Sequence, residues 1–429
     1  LNPEVLLAAN ETLSRDIPME RLMPCRFCST ELRHIFIDLG LSPLSNAYIK
    51  PENLSQGEIF YPLRAWVCHN CFLVQAEEFS SPSNIFSDYA YFSSFSESWL
   101  AHARNYAKMI SDKCALNENS LVVEIASNDG YLLQYFVELG IPVLGLEPAA
   151  NVAEVATKKG VRTEVAFFGE AMARQLHEKY GYADLMVGNN VLGHVPDINN
   201  FIKGFKTLLH PNGLLTMEFP SLHNLLRFNQ FDTIYHEHFS YLSLSTVHRI
   251  FQQHGLAVYD VQKLPTHGGS LRIYVQHQEK NTPETQALRD VLQEEEEDGL
   301  CRLDAYSSFA QRVLRVKADL LEFLLQAQRA GKQVVAYGAA AKGNTLLNYA
   351  GVKSDLISYV VDLNPYKRGR YLPGSRIPIR DPKYIFETKP DYVLILPWNL
   401  QDEISRQMAS VRKWGGQFVV PIPQLTILP

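Results

Sequence analysis

The chain has 429 residues, more than one hydrophobic core usually holds, so two to four domains are expected. Apolar residues make up 46% and charged residues 20%, the balance of an ordinary globular protein and not of a disordered one. The net charge of -6 argues against a chain built to grip a nucleic-acid backbone, and no apolar run approaches the ~18–20 residues of a membrane span.

Residues 1–20 read as a short helical lead. Residues 21–80 carry two CxxC pairs among short apolar alternations such as Phe36-Ile37-Asp38-Leu39. Residues 81–115 are rich in Ser, Tyr and Phe and turn helical from about Glu97 to Lys113. From Leu121 the pattern changes. LVVEIAS, PVLGLEP, ADLMVGNN and GLLTMEFP are apolar runs ending in polar or acidic residues, with helical stretches between them, which predicts a parallel α/β sheet. A polar helical region follows from about Pro283 to Ala330, its Glu294 to Asp298 run read as a solvated face or linker. A second α/β alternation runs through QVVAYGAAAKG, ISYVVDLNP, DYVLILPW and GQFVVPIP. The expected class is α/β in three parts: a zinc-binding module over 1–80, a cofactor-binding Rossmann-like domain over 81–282, and a second Rossmann-like domain with linker helices over 283–429.

Four of the six cysteines form the pairs Cys25/Cys28 and Cys68/Cys71, separated by residues 29–67. The first 25 residues show no basic start followed by an apolar stretch. A cytoplasmic location is therefore expected, and there paired cysteines point to metal before disulfides. Each pair suits a tight knuckle whose thiolates reach one tetrahedral zinc. The four sulfurs close the shell, so the zinc is expected to be structural, with His69 a surface residue. Redox pairs or buried free thiols are the alternative.

LVVEIASNDGYLL reads as a strand, Leu121 to Ile125, then a tight turn and a helix. Glu124, Ala126, Asn128 and Gly130 fall on the acidic-and-glycine pattern of an S-adenosylmethionine-binding turn, with Ser127 and Asp129 between them. Two glycines of the fuller pattern are replaced, by Ala126 and Asn128. Glu147, followed by Pro148, ends the next strand, where an acid can hold both ribose hydroxyls. Asn189 and Asn190 end a further strand at the ligand crevice, with His194 just beyond. An Asn there is otherwise a helix cap.

Six segments now read together: DLGLSPLSNAYI (38–49), EIASNDGYLL (124–133), NNVLGHV (189–195), DTIYHEHFSYLSL (232–244), HGGSLRIYV (267–275) and YGAAAKGNTLLNY (337–349). In this order they resemble the sugar C-methyltransferases, over nearly the whole chain. The resemblance implies S-adenosylmethionine as cofactor and a nucleotide-linked 4-keto-6-deoxysugar, usually on dTDP, as substrate. It implies methylation at carbon 3, beside the ketone. The family pattern matches Tyr235, Glu237 and His238, with Asn190 and His194, and less securely Tyr89 and Tyr91 on the substrate side. The chain departs from the pattern at Ala126, where the family usually has Gly.

Carbon is a poor nucleophile until a neighbouring ketone lets it lose a proton as an enolate. The protein must supply a base, stabilise the oxyanion and hold the carbon in line with the methyl donor. His238 is the expected base, since an imidazole titrates near neutral pH. Glu237 is expected to orient a ring or accept a sugar hydroxyl. Tyr235 and His194 are expected to donate to the enolate oxygen or bind sugar. His236 should point away, because alternate residues diverge in an extended segment. No catalytic metal is expected.

In the C-terminal block Gly338 and Gly343 follow a strand and open a helix, Asp362 ends the next strand, and Lys342 sits in the turn. That arrangement suits a pyrophosphate. Lys342 and Asn344 are taken as contacts to the nucleotide sugar. The alternative is a domain that only buttresses the site. His267 and Gly268, in HGGSLR, are expected to line the cleft as a close-approach loop. Arg272 is expected either to meet phosphate or to serve as a structural ion-pair partner. Neither nucleic acid nor membrane is expected as a partner. Three rival readings stand beside this one: an RNA or protein methyltransferase binding polymer through its zinc ribbon, a nicotinamide-dependent enzyme, and a non-catalytic nucleotide-sugar-binding protein.

Overall fold

The computed structural model describes residues 23–79 and 93–428. The expected helical lead and the two substrate-side tyrosines, Tyr89 and Tyr91, lie outside the described residues. Among those described there are three sheets, and the chain is α/β.

The first sheet is antiparallel. It orders β1 (His34–Ser42), β2 (Tyr61–Val67), β3 (Val74–Ala76) and, from far along the chain, β9 (Ser240–Tyr241). The second is a doubly wound sheet. Its parallel part runs β6 (Thr163–Glu164), β5 (Val143–Leu146), β4 (Val122–Ile125), β7 (Ala183–Asn189) and β8 (Leu209–Pro220). It is finished by the antiparallel strands β11 (Ser270–His277) and β10 (Leu256–Leu264). Strand β4 pairs with β5 on one side and β7 on the other, so the chain reverses direction across the sheet there, and ligands bind beyond such a switch point. The third sheet centres on β12 (Val334–Tyr337). It lies parallel to β13 (Val360–Val361) and β15 (Tyr392–Ile395), with β14 (Ile379–Arg380), β16 (Gln417–Val420) and β17 (Thr426–Leu428) outside them.

The runs read as buried strands are buried along their length: every residue of β4, β5 and β12 is buried, as strands covered on both faces by helices must be. The helix expected near Glu97 is α1 (Glu97–Cys114). Its first turn is capped by Ser96, whose hydroxyl accepts from the Trp99 amide, and it ends where Ala115 turns left-handed. The acidic run lies at the end of α2 (Gln286–Glu297), but Glu295 is buried and accepts from the amides of Leu244 and Ser245. That run is therefore only partly the solvated face expected of it. A longer helix, α3 (Phe309–Arg329), stacks Phe309 flat against Phe36 of β1, ring centroids 4.7 Å apart.

Among the described residues the zinc-binding segment has no core of its own. Cys25, Phe27, Trp66, Cys68 and Leu73 share a core with Val123, Leu146 and Phe205 of the cofactor domain. Phe36, Leu63 and Val74 share another with Leu346, Val360 and Trp398 of the C-terminal domain. Ile49 and Tyr371 exchange backbone hydrogen bonds, both 2.9 Å, across that second junction. Glu58 accepts from Arg376 Nε and the Gly374 amide beside it. No helix among the described residues is long and apolar enough to cross a membrane.

Candidate active site and zinc site

The two CxxC pairs fold as matching knuckles. In each, the first cysteine's carbonyl accepts from the amide four residues on, Ser29 at 3.0 Å and Phe72 at 2.9 Å. Those acceptor turns close with Ser29 and Phe72 left-handed, at φ of 59° and 61°. The four sulfurs all lie within 4.8 Å of one another. Cys25 Sγ is 3.5 Å from Cys71 Sγ, and Cys28 Sγ is 3.6 Å from Cys68 Sγ. These separations are too long for disulfides and near the ~3.8 Å edge of a tetrahedron with zinc–sulfur bonds of ~2.3 Å. The residues fit zinc with a closed shell. His69 is exposed, edge-on to His34, and not among the four. Gln75 donates to Cys25 Sγ at 3.3 Å and accepts from the Arg26 amide at 2.9 Å, tying the knuckle to β3.

The cofactor turn keeps the shape of a glycine-rich loop without its glycines. Ala126 and Asn128 are left-handed, at φ of 58° and 50°, as is Gly130 at 76°. The backbone conformation that glycine favours is thus retained at both replaced positions, at a local strain of order 1 kcal/mol each. Glu147 holds the turn shut: its carboxylate accepts from the Asn128 amide at 3.0 Å and from the Ala149 amide at 2.9 Å. Pro148 is half-buried beside it. Glu124 is buried, and burial pushes its carboxyl well above the usual range. Around this turn, Glu124 Oε2, Ser127 Oγ, Asp129 Oδ1, Asn189 Oδ1 and Asn190 Oδ1 are buried without a hydrogen-bond partner among the described residues. A cluster of unpaired acceptors next to a desolvated acid calls for a ligand with donors and positive charge. S-Adenosylmethionine, with its ammonium, ribose hydroxyls and sulfonium, fits that demand.

The string YHEHFSY packs between all three sheets. His238 Nδ1 donates to the Thr233 carbonyl at 2.7 Å, and His194 Nδ1 donates to the Glu237 carbonyl at 2.8 Å. Each bond leaves Nε2 as the ring nitrogen with the lone pair. The two imidazoles meet edge to face at 4.6 Å, and Tyr235 packs on His238 at 3.9 Å. His194, Tyr235, His238, His267, Lys342 and Asn190 are all half-buried, whereas Asp232, His236 and Glu237 are buried. Burial pushes His194 down to about 4, and burial, then the charge of His194, pushes His238 well below its ordinary value. Both rings are neutral at pH 7. The Asn190 amide meets His267 Nε2 at 3.2 Å, which links this cluster to the end of β7 and the cofactor turn. Burial pushes His267 down to about 4 as well.

The C-terminal domain reaches the cluster through Lys342, on α4 (Ala341–Ala350). Its Nζ donates to Asn399 Oδ1 at 2.7 Å and lies 4.6 Å from the Trp398 ring centroid. Trp398 Nε1 donates to Asp232 at 2.8 Å, and burial raises Asp232 to about 6.

Several expected contacts are spent elsewhere. Asn344 is buried and gives its amide to the Ser45 carbonyl at 2.7 Å, so it serves the junction with the N-terminal segment. Arg272 is buried, donating to Glu218 through Nε at 2.8 Å and Nη2 at 2.5 Å and to Gln262 through Nη1 at 2.9 Å. Of its two expected roles this is the ion-pair one. The paired glycines give close approach, but to protein: a Cβ on Gly268 would collide with Trp398, and one on Gly269 with Asn224. Glu237 orients the His194 ring through its backbone carbonyl and not its carboxylate. His236 turns away from His238, its Nε2 3.1 Å from the Pro62 carbonyl. Asp232, Trp398 and Asn399 were not foreseen as site residues. They stand in the single 3-10 turns Phe231–Thr233 and Trp398–Leu400, too short to show a pattern.

Three family models match in sequence: a zinc binding domain over 25–86, a methyltransferase domain over 99–261 and a C-methyltransferase C-terminal domain over 265–423. The C-methyltransferase NovU of Streptomyces niveus is 36% identical over 404 residues, covering 94% of this chain and 96% of that one. The ubiquinone biosynthesis O-methyltransferase of Bartonella bacilliformis is 27% identical over 95 residues, 22% of this chain and 38% of that one. Among solved structures, magnesium protoporphyrin IX methyltransferase from Synechocystis with bound S-adenosylmethionine is 14% identical. It covers 41% of this chain and 80% of its own, at a TM-score of 0.31.

Proposed function

The chain belongs to the C-methyltransferase family, as an S-adenosylmethionine-dependent enzyme, and from that premise we propose that its acceptor is carbon 3 of a nucleotide-linked 4-keto-6-deoxysugar, dTDP the favoured carrier, with His238 as the base. When bound, the cofactor supplies an electrophilic methyl group. Everything else falls to the chain. The observation that carries the reading is the pinning of His238: with Nδ1–H engaged by Thr233, a neutral Nε2 lone pair is held on a half-buried ring beside the cofactor crevice.

His238 Nε2 takes the proton from carbon 3, and the electron pair moves onto the carbon-4 oxygen. A depressed imidazole is a weak base, so the oxyanion needs help. Lys342 and Tyr235 are the groups suited to give it, by charge and by hydroxyl. The cofactor, held over the turn from Glu124 to Gly130, would supply the methyl group to carbon 3, and the chain's part is to keep the two in line. Asn190 and His267 hold the sugar at the seam with the cofactor turn, and Glu147 takes the ribose hydroxyls.

The test is proton exchange. Wild-type protein with a dTDP-4-keto-6-deoxyhexose and S-adenosylhomocysteine in deuterium oxide should exchange the carbon-3 proton, read by NMR. His238→Ala should bind both ligands, lose the exchange, and lose turnover by roughly 10²–10⁴-fold. A variant that exchanges normally but does not methylate rules out His238 as base.

A further inference from the structure

The Glu237 carboxylate is buried, and one side chain meets both its oxygens: Asn46 Nδ2, at 2.7 Å from Oε1 and 2.8 Å from Oε2. Asn46 is separated from it by most of the cofactor domain in sequence and stands on the loop after β1. That loop is itself fixed from the third sheet. Asn344 donates to the Ser45 carbonyl at 2.7 Å, and Tyr48 donates from its hydroxyl to the Ala339 carbonyl at 2.6 Å. Lys367 donates to that same carbonyl at 2.8 Å. On its other side Glu237 carries the carbonyl that holds His194 Nδ1.

We propose that Asn46 is a positioning residue for the catalytic loop: its amide fixes the orientation and charge state of Glu237, and through the Glu237 peptide it sets the ring of His194. The inference rests on reading this loop as the active site. It makes the N-terminal segment a contributor to the chemistry and not only a carrier of zinc.

The chemistry follows from the donor geometry. An N–H pair shared between two carboxylate oxygens favours the ionised form and opposes what burial does. The groups facing Glu237 are Asn46 and Tyr48 from the first segment and Lys367 from the C-terminal domain, with Asp362 behind Lys367. Burial raises Glu237 to about 7, while Asn46 first and Lys367 second act against it. Without the amide, Glu237 protonates at higher pH and its side chain is no longer anchored. The carbonyl bonded to His194 then moves with it.

Asn46→Ala and the isosteric Asn46→Asp test this in the full zinc-loaded chain. The first readout is pH-difference infrared spectroscopy of the protonated carboxyl band, identified by its loss in Glu237→Gln. The midpoint should rise by about one to two pH units in Asn46→Ala, the worth of one charge-assisted hydrogen bond, and at least as far in Asn46→Asp. The second readout is the deuterium exchange of the ketosugar, which should fall at least tenfold while S-adenosylmethionine affinity stays at the wild-type value. An unmoved midpoint overturns the proposal, and so does a moved midpoint with wild-type exchange. The titration needs no sugar, so it judges Asn46 even where the wild type exchanges nothing, the outcome that sinks the substrate assignment instead.

Discussion

Glu147 is where a single atom change separates a cofactor contact from a structural one. Its two oxygens accept from the Asn128 and Ala149 amides, and both residues are buried. Removing the carboxylate in Glu147→Ala strands two N–H donors. At about 1–3 kcal/mol for each unsatisfied group the turn loses roughly 2–6 kcal/mol, a large share of a domain's stability. Asn128 adopts its left-handed backbone in that turn, and its side chain, which accepts from the Ser93 amide at 2.9 Å, would be left to hold it there without the carboxylate. Glu147→Gln keeps one acceptor oxygen and removes the charge. One charge-assisted bond is worth ~1.5–3 kcal/mol, so the affinity for S-adenosylmethionine should drop about 10- to 150-fold. The assay is isothermal titration calorimetry of both variants beside thermal unfolding. Glu147→Ala, which strands two donors, should lose affinity and the larger share of melting temperature, and Glu147→Gln, which strands one, should lose affinity with about half that fall in stability. Wild-type affinity in Glu147→Gln would show that the ribose acid lies elsewhere and that Glu147 is only a brace.

Elemental analysis should find one zinc per chain, and Cys68→Ser should lower the unfolding temperature of the cofactor domain along with the N-terminal segment, because Cys68 lies in their shared core. A separate, unshifted cofactor-domain transition in calorimetry would refute that. Arg272→Ala leaves Glu218 buried with its main counter-charge gone and should destabilise the fold by about 3–5 kcal/mol. A variant that unfolds like wild type in urea but shows a raised KM for the nucleotide sugar would instead make Arg272 a phosphate ligand. As the proposed base, His238 works as the neutral ring, and its pKa is depressed, by burial first. The ring's own titration, followed by its imidazole signals in NMR, should therefore lie below pH 6.5, and a midpoint at the ordinary imidazole value would contradict the placement of the ring.

What could be read locally was read. The CxxC spacing is a property of short knuckles, so it foretold the sulfur cluster. A strand buried on both faces announces itself as an unbroken apolar run, and an acid at the end of the second such strand marks Glu147. The residues whose protein partners could not be read share one trait: those partners lie far away in sequence. Asn344, taken as a contact to the nucleotide sugar, spends its Nδ2 on the Ser45 carbonyl, and its Oδ1 stays buried without a partner among the described residues. Gly268 and Gly269 were rightly seen as places where something comes close, but a glycine carries no mark of what approaches, and here it is Trp398 and Asn224. The acidic run at 294–298 has the composition of a solvated face, and only the register of α2 decides that Glu295 turns inward.

The least legible feature is the one that organises the site. Ser240 and Tyr241 pair with Gln75 and Val74, which makes the segment just after His238 an edge strand of the first sheet. The Phe239 carbonyl accepts from the Ala76 amide at 3.0 Å, and the Phe239 amide donates to the Gly193 carbonyl at 2.7 Å. A two-residue strand has no periodicity to detect, and its pairing follows from the knuckle that fixes β3. The loop carrying His238 is thereby gripped by the zinc-bearing sheet at its end, by Gly193 from the cofactor domain, and by Thr345 Oγ1, which donates to the Ile234 carbonyl at 3.1 Å, near its start. A loop held from three sides in this way has little freedom of its own. That is the condition the proposed imidazole base needs, since a weak, neutral ring must draw its advantage from placement more than from proton affinity.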